Sequence, residues 1–478
     1  HTDNGSPNST LRVVGDGAYT WSVQKLEELA SSDGINDGIF DVGGDNEIRF
    51  IDFNHLVGSD GNNRFEFVGS GEITGSVDGG ATRGTGRNVI DTTGSEYGFA
   101  FWQSTPSGSG EADTALWVQN IQTLSARSDR HNVLHGIDSA TTWTVTGTDS
   151  GYLGDDSIRF EGVQHLKGGS ARDTFVVNTG GLITGAIDGG GNDNTLEVTS
   201  EGDDLVHWRV SGKDQGSVED RVASFTGLSD LLGGEGDDRF TLTSAAQVSG
   251  IDGGNGDNGL AYQLSDSETA EQAAQWRLTG QYDGEIESAN GGISGFENIH
   301  SLVGSGHDTL TGDNVATRWL ISHSDGGSVG AESTVSQHYM AFEGMATLVG
   351  NTQADHFSIL DSGNDFSGVL KGGASGNNRL SANQHNNAWA LSGAGRGTLN
   401  ESIVFEALQT LVGGGEGNTL RGPNRDNRWL LTEARRGTVS EQGISGTSTE
   451  FGGMETLEGG ARYDLFVAGG ALTVGQLA

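Results

Sequence analysis

The apolar positions of this chain recur in a fixed pattern: an aromatic residue, an apolar residue three positions later, and Leu three positions after that. We call this pattern the Phe motif, and its seven copies are Phe50-Phe53-Leu56, Phe160-Val163-Leu166, Phe225-Leu228-Leu231, Phe296-Ile299-Leu302, Phe342-Met345-Leu348, Phe405-Leu408-Leu411 and Phe451-Met454-Leu457. Val118-Ile121-Leu124 is a weaker eighth copy. Repeat units thus start near residues 50, 118, 160, 225, 296, 342, 405 and 451. A pattern that returns along the whole chain predicts a stack of similar units.

The spacing of the copies indicates how each unit winds. Consecutive copies lie 68, 42, 65, 71, 46, 63 and 46 residues apart, so a coil of about 22 residues divides each unit into two or three coils. An extra segment at residues 174–190, 240–254 and 357–373 supplies the third coil of long units. We therefore predict an all-β fold, a right-handed parallel β-helix (β-solenoid) of about 22 residues per coil. Residues 1–478 would form a single continuous, elongated solenoid.

A second pattern, the Trp motif, has Trp, an aliphatic residue two positions later, Gly eight positions after the Trp, and another aliphatic residue. Its six copies are Trp143-Val145-Gly151-Leu153, Trp208-Val210-Gly216-Val218, Trp276-Leu278-Gly284-Ile286, Trp319-Ile321-Gly327-Val329, Trp389-Leu391-Gly397-Leu399 and Trp429-Leu431-Gly437-Val439. Residues two apart share one face of a strand, which favours Trp as a core residue of a further coil. A row of exposed sugar-binding Trp rings is the alternative. The spacing fails after Trp21, where Val23 to Ala30 has helical periodicity.

A third pattern places Asn or Asp two residues before an aliphatic or aromatic residue, at the end of a mostly Gly-rich turn. These Asx positions are Asn63, Asn88, Asn132, Asp173, Asn194, Asp238, Asn258, Asp308, Asp355, Asn378, Asn418 and Asp464. Asx side chains hydrogen-bond main chain at turns, and stacked amides bond along a fibre axis, so we interpret the set as a structural ladder.

Calcium binding is the rival interpretation of the Asx positions. Residues Gly233 to Phe240, with Asp238, resemble the calcium-binding nonapeptide of repeats-in-toxin proteins. Seven of the twelve positions are Asn, which lacks the charge that Ca²⁺ prefers. We predict no cofactor and no specific metal site, with Asp238 as the one weak candidate. Binding of peripheral Ca²⁺ by the acidic surface is a separate alternative.

The composition narrows the possible partners. The formal net charge is −39, from 65 acidic and 26 basic residues, which disfavours nucleic acid. The chain has no Cys, so disulfides and thiolate metal sites are excluded. No apolar run reaches about 18 residues, so we expect no membrane insertion.

Parallel β-helices also carry polysaccharide lyases, hydrolases and epimerases, and such an enzyme is an alternative function. Catalysis requires a unique cluster of acids and bases that interrupts the repeat. The sequence shows no such constellation and no established catalytic motif, so we predict no catalytic residues. His55 and His165 share a repeat position before Leu, and we expect them to be solvated.

The Gly-rich, Asn-rich, Cys-free and acidic repeats resemble the rod regions of large bacterial exoproteins of the filamentous haemagglutinin type, exported by two-partner secretion. Biofilm matrix adhesins of pseudomonads belong to this type. The resemblance implies an extracellular or outer-surface location on a Gram-negative bacterium. It also implies a structural adhesin fibre that binds matrix polysaccharide or copies of itself. The calcium-binding repeats-in-toxin domain remains a further alternative. Both ends of the chain fall within a coil, so we expect a segment of a longer fibre.

Overall fold

The computed structural model describes residues 9–26, 35–42, 46–81, 87–103, 114–154, 157–202, 204–333, 339–363, 365–374, 376–444, 448–469 and 476–477. The described residues form β-strands and turns, with two single 3-10 turns at Ala270–Gln272 and Asp361–Gly363 and no α-helix. Of the predicted helix, Val23 belongs to a strand, residues 24–26 are irregular, and residues 27–30 lie outside the described residues. Nowhere in the described chain is there a helix with the length and apolar character needed to cross a membrane.

The chain divides into two compact units, His1–Gly236 and Asp237–Ala478. The strands of the first unit are β1 (Thr10–Arg12), β2 (Tyr19–Val23), β3 (Gly38–Asp41), β4 (Glu47–Phe50), β5 (His55–Val57), β6 (Asn63–Gly69), β7 (Ser76–Asp78), β8 (Val89–Ser95), β9 (Phe99–Trp102), β10 (Thr114–Gln119), β11 (Thr123–Ser125), β12 (Val133–His135), β13 (Thr142–Gly147), β14 (Ser150–Leu153), β15 (Ile158–Glu161), β16 (His165–Lys167), β17 (Thr174–Val177), β18 (Ile183–Asp188), β19 (Thr195–Val198), β20 (Leu205–Gly212), β21 (Gln215–Val218), β22 (Val222–Thr226) and β23 (Asp230–Leu232).

The second unit contains a comparable series of short strands. They are β24 (Asp237–Thr243), β25 (Val248–Asp252), β26 (Gly259–Gln263), β27 (Gln275–Leu278), β28 (Gly284–Ser288), β29 (Gly291–Glu297), β30 (Ser301–Thr311), β31 (Thr317–His323), β32 (Gly326–Ala331), β33 (Met340–Val349), β34 (His356–Ile359), β35 (Gly368–Lys371), β36 (Arg379–Ala382), β37 (Ala388–Gly393), β38 (Arg396–Leu399), β39 (Ile403–Glu406), β40 (Thr410–Gly413), β41 (Thr419–Arg421), β42 (Asn427–Glu433), β43 (Arg436–Glu441), β44 (Ser448–Gly452), β45 (Thr456–Glu458), β46 (Asp464–Ala468) and β47 (Gln476–Leu477).

Parallel pairing between coils builds stacks of buried apolar residues. In the first unit, β2, β6, β8, β11 and β15 pair in parallel and in register. This register stacks five buried side chains, Trp21, Phe65, Ile90, Leu124 and Phe160. The stack therefore begins with a Trp and ends with the first residue of a Phe motif.

The second unit repeats this arrangement twice. One stack joins Trp276, Leu310, Leu348, Leu370 and Phe405. Another joins Trp319, Phe357, Leu380, Leu411 and Phe451. The two sequence motifs thus mark opposite ends of a stack, which pattern reading did not predict.

The first strand of the Trp motif pairs in parallel with the next coil, as Trp143 does with Phe175, but its second strand turns back as an antiparallel hairpin and does not form the additional parallel coil that we predicted. Trp143 on β13 pairs with Leu153 on β14, and Gly151 on β14 pairs with Phe160 on β15, all antiparallel. The middle strand therefore connects a stack that begins at Trp143 with a stack that ends at Phe160. The prediction was wrong here because alternation shows which face a residue occupies and not the direction of the neighbouring strand.

The Gly of the Trp motif is required for steric reasons. A Cβ at Gly151 would lie 2.0 Å from Thr144 O and 3.0 Å from the Phe160 ring. Gly216, Gly284, Gly397 and Gly437 are equally crowded by a main-chain oxygen and the ring of the paired Phe. In the first hairpin the same position is Gly38, which pairs with Val23 and Phe50. The spacing rule fails after Trp21 only because more residues separate these two strands.

Paired residues recur at two spacings along the chain, depending on whether a hairpin lies between them. Phe175 pairs with Leu196, 21 positions later, across a coil without a hairpin. Leu196 pairs with Leu231, 35 positions later, because β20 and β21 are inserted between them. The extra segments predicted in long units contain the strand pairs β17 and β18, β24 and β25, and β34 and β35. Unit length thus reflects both an optional coil and a hairpin.

Candidate functional site: the Asx ladder and an arginine-lined groove

The twelve Asx positions lie inside the protein. Eleven of them have at most 1% of their surface exposed, and Asp464 is half-buried. Buried polar groups are unfavourable unless they are hydrogen-bonded. Their partners therefore decide what these residues can do.

A repeated hydrogen bond links Asx positions on successive coils. The main-chain N–H of Asn63 donates to Asn88 Oδ1 at 2.9 Å, that of Asp173 to Asn194 Oδ1 at 2.8 Å, and that of Asp355 to Asn378 Oδ1 at 2.9 Å. Gln takes the acceptor role at some positions, as where Asn132 N donates to Gln164 Oε1 at 3.0 Å. These bonds connect successive Asx or Gln positions from one coil to the next, and we keep the name Asx ladder for the set.

The Asn amides make a second bond that a carboxylate cannot make. Asn132 Nδ2 donates to Gly162 O at 2.9 Å, and Asn194 Nδ2 donates to Gly227 O at 3.0 Å. The accepting residue follows a Phe motif aromatic by two positions and has positive φ, 71° at Gly162 and 65° at Gly227. Asn88, Asn258, Asn378 and Asn418 donate to the equivalent carbonyls of Asn120, Asn298, Ala407 and Gly453. Asn63 donates instead to Gly79 O at 3.0 Å.

Four of the five Asp carboxylates, those of Asp173, Asp308, Asp355 and Asp464, accept several hydrogen bonds. Asp308 accepts from the Trp276 indole N–H at 3.0 Å, and Asp464 accepts from the Trp429 indole at 3.0 Å. Asp173, Asp308, Asp355 and Asp464 each accept from an amide N–H three or four residues earlier in their own turn, at 2.8–3.0 Å. Burial raises the pKa of Asp173 and Asp355, while these amide bonds act in the opposite direction.

Asp238, the weak calcium candidate, is fully buried, and its main-chain N–H donates to Asn258 Oδ1 at 2.8 Å. Among the described residues, no group of three or more His, Asp or Glu side chains is arranged to hold a metal ion. The described chain therefore offers no metal cluster around this residue.

The six repeat Trp residues are buried in the core, with at most 1% exposure. They present no face to a sugar. Two further residues, Trp102 and Trp117, lie outside the core on β9 and β10, where they pair in register. Trp102 also stacks on His135, with ring centroids 3.6 Å apart. Sequence reasoning missed this row because neither Trp follows the Trp motif.

The two repeat His residues are half-buried rather than freely solvated. His165 Nδ1 accepts from Ala186 N at 3.1 Å, and His55 Nδ1 lies 2.9 Å from Ser76 Oγ. Burial and the neighbouring His131 lower the pKa of His165. These contacts indicate that both His side chains help to hold neighbouring coils together.

A groove of about 390 Å³ opens on the second unit between the hairpin of Trp389 and that of Trp429. Its polar lining includes Ser392, Arg396, Arg425, Ser440 and Glu441. Arg425 Nη1 lies 2.8 Å from Glu441 Oε2, whereas Arg396 has no ion-pair partner among the residues the structure describes. We call this feature the arginine groove, and no sequence pattern indicated it because its residues belong to different units.

The Asx ladder and the arginine groove differ in exposure. The ladder joins main chain to main chain through buried side chains, and the arginine groove is an open, charged concavity. No protein-family model matches the chain, and no curated protein matches it.

Proposed function

We propose that the chain is a structural adhesin, a fibre-forming scaffold at the bacterial cell surface or in a biofilm matrix. The proposal rests on the burial and hydrogen bonding of the repeated Asx side chains. Eleven of the twelve Asx side chains are buried to 1% exposure or less, and those described above bond to main chain of neighbouring coils. A residue committed in this way maintains shape and leaves no group free for chemistry. What the chain repeats is therefore a structural unit.

The proposal includes the finer points of the fold that the sequence suggested. Crossovers between parallel strands are right-handed in about 98% of cases, so we expect right-handed coils. Coils without a hairpin would contain about 22 residues. The repeat units would continue as one solenoid, as in other repeat proteins in which each repeat packs mainly on its neighbours. Electron microscopy of the purified chain tests this point, and globular particles would contradict it.

Matrix polysaccharide or further copies of the chain are the proposed partners, and the location is extracellular. Antibodies raised against the chain should label intact, unpermeabilised cells of the organism that encodes it. Deletion of the gene should reduce the retention of cells in their matrix, and complementation should restore it. Labelling that requires permeabilisation, or unchanged retention after deletion, would contradict the adhesin proposal.

A further inference from the structure

The segment that contains the arginine groove differs in charge from the rest of the chain, and two of its Arg residues, Arg396 and Arg425, line the groove. The chain as a whole carries 65 acidic and 26 basic residues, but residues 391–449 carry six of each and are neutral. Residues 421–436 hold five Arg against two acidic residues. Clustered arginine on an acidic protein requires an explanation other than average composition.

The repeat allows equivalent positions to be compared between hairpins. In five hairpins a residue closes the turn by pairing with the end of the Trp strand, and it is Ser150, Gln215, Gly326, Arg396 and Arg436 in chain order. Arg therefore occupies this position only in the last two of these hairpins. The scaffold does not require a cation here, since Ser, Gln and Gly serve it equally.

Packing against Gly393 constrains the side chain of Arg396. It pairs across the turn with Gly393, and a Cβ at Gly393 would come within 3.3 Å of Arg396 Cδ. The arginine stem thus lies over the glycine, which limits the directions open to its guanidinium. The head group remains exposed and lines the groove.

We propose that the arginine groove binds the carboxylate of a uronic acid residue in an acidic polysaccharide. Guanidinium groups bind carboxylates with paired, charge-assisted hydrogen bonds. The hydroxyl groups of Ser392 and Ser440 are suited to the hydroxyls of a sugar ring. Arg425 is held by Glu441, so Arg396 is the primary contact and Arg425 becomes available when its ion pair opens.

The volume of the groove suits a small ligand such as a sugar residue. Small-ligand sites occupy roughly 300–1,000 Å³, and this groove has about 390 Å³. The proposal rests on the adhesin function and names the class of matrix polysaccharide that this site would take.

Calorimetric titration of the whole purified chain with tetragalacturonate at low ionic strength tests the site. Wild-type protein should bind in the millimolar range or tighter, and neutral maltotetraose should not bind. Arg396→Gln should weaken binding by about tenfold. Glu441→Gln should strengthen binding by about threefold, because it releases Arg425 and removes a negative charge.

A matched control separates the groove from net charge. Arg172→Gln makes the same charge change at an exposed residue of the first unit, near Asp193, and should bind like wild type. Equal losses in Arg172→Gln and Arg396→Gln, or no loss in Arg396→Gln, would overturn the proposal. So would tighter binding of polyglutamate than of tetragalacturonate, or loss of self-association by Arg396→Gln in sedimentation, since both identify a protein carboxylate as the ligand. Failure in this titration with cell retention intact rejects the groove alone, whereas loss of surface labelling rejects the adhesin.

Discussion

At the scale of single residues, the choice between Asn and Asp follows the donors and acceptors of the neighbouring coil. Asn194 must donate to Gly227 O at 3.0 Å while its Oδ1 accepts from Asp173 N. Asp355 accepts from Thr317 N at 3.0 Å and Asn351 N at 2.9 Å, so it needs no donor. The mixture of Asn and Asp in the sequence is therefore specified by local partners.

Exchanging the two residue types should destabilise the protein in both directions. Asn194→Asp would place a carboxylate oxygen against carbonyl oxygens, and Asp355→Asn would place an amide against amide donors. We expect losses of about 3 and about 2 kcal/mol in the free energy of unfolding, measured by urea titration. Asn314→Asp, at an exposed residue whose oxygen accepts from Thr352 Oγ1, should change it by less than about 0.5 kcal/mol. Losses of equal size in this control would reject the ladder explanation.

His356 on β34 gives the protein a defined response to acid. Burial lowers the pKa of His356 to about 4, with further lowering by Arg379 and Arg318. Its side chain is 20% exposed, and Nε2 lies 2.9 Å from Ser381 Oγ. A lowered histidine pKa contributes stability above the unfolded value of about 6.5, and this contribution is lost as pH falls toward 4.

Comparison of wild type with His356→Gln isolates this effect from other titrating groups. Between pH 7.5 and pH 5 the wild type should lose roughly 2 kcal/mol more unfolding free energy than the variant. Urea titrations of both proteins at the two pH values measure the difference. Parallel pH profiles would show that His356 titrates normally in the folded protein.

At the scale of elements, three consecutive antiparallel strands join one stack to the next. The first carries the Trp, the second the Gly of the Trp motif, and the third the Phe. Gly216 on β21 pairs with Val210 on one side and Phe225 on the other. A Cβ there would lie 2.0 Å from Arg209 O and 2.7 Å from the Phe225 ring. Neither the main chain nor a buried ring can move far in a packed core.

Gly216→Ala should therefore cost about 3 kcal/mol of unfolding free energy, by overpacking. Gly295→Ala on β29 is the matched control, because no heavy atom outside its chain neighbours lies within 4 Å of its Cβ position. The control should melt within about 2 °C of wild type in circular dichroism. Equal melting temperatures for both variants would contradict the steric requirement.

Pattern reading predicted the strands and the burial of the motif residues. It identified Trp143 and its aliphatic partner as core, and both are fully buried. It did not predict that Trp143 and Leu153 lie on antiparallel strands, because side-chain alternation is the same for both strand directions. Pairing between strands of distant sequence position is a tertiary property.

At the scale of the whole molecule, the net charge of −39 invites the expectation that divalent cations hold the fold together. The Asx ladder contradicts this expectation. The carboxylate oxygens of Asp173 and Asp355 accept hydrogen bonds from main-chain N–H groups and are not free for a cation. Cations would then act by screening charge, as other salts do.

Removal of divalent cations should leave the structure unchanged. In about 150 mM NaCl, where the screening length is about 8 Å, the melting temperature with EDTA should equal that with Ca²⁺ to within about 2 °C. Circular dichroism measures both. A calcium-dependent repeats-in-toxin domain would unfold in chelator, so a large loss of β signal would support that alternative.

The periodicity, the all-β class and the residues that face inward could be predicted from the sequence, because burial of apolar side chains imposes a regular spacing on any stacked coil. The sequence also marked the Asx ladder, because turn chemistry is local. The pairing of strands, the positions of Trp and Phe at opposite ends of a stack, and the partners that favour Asn at one position and Asp at another depend on the tertiary structure. The arginine groove also depends on it, since Arg396 and Arg425 line the groove from two different repeat units. Those outcomes depend on contacts between units, which a pattern within one unit does not contain.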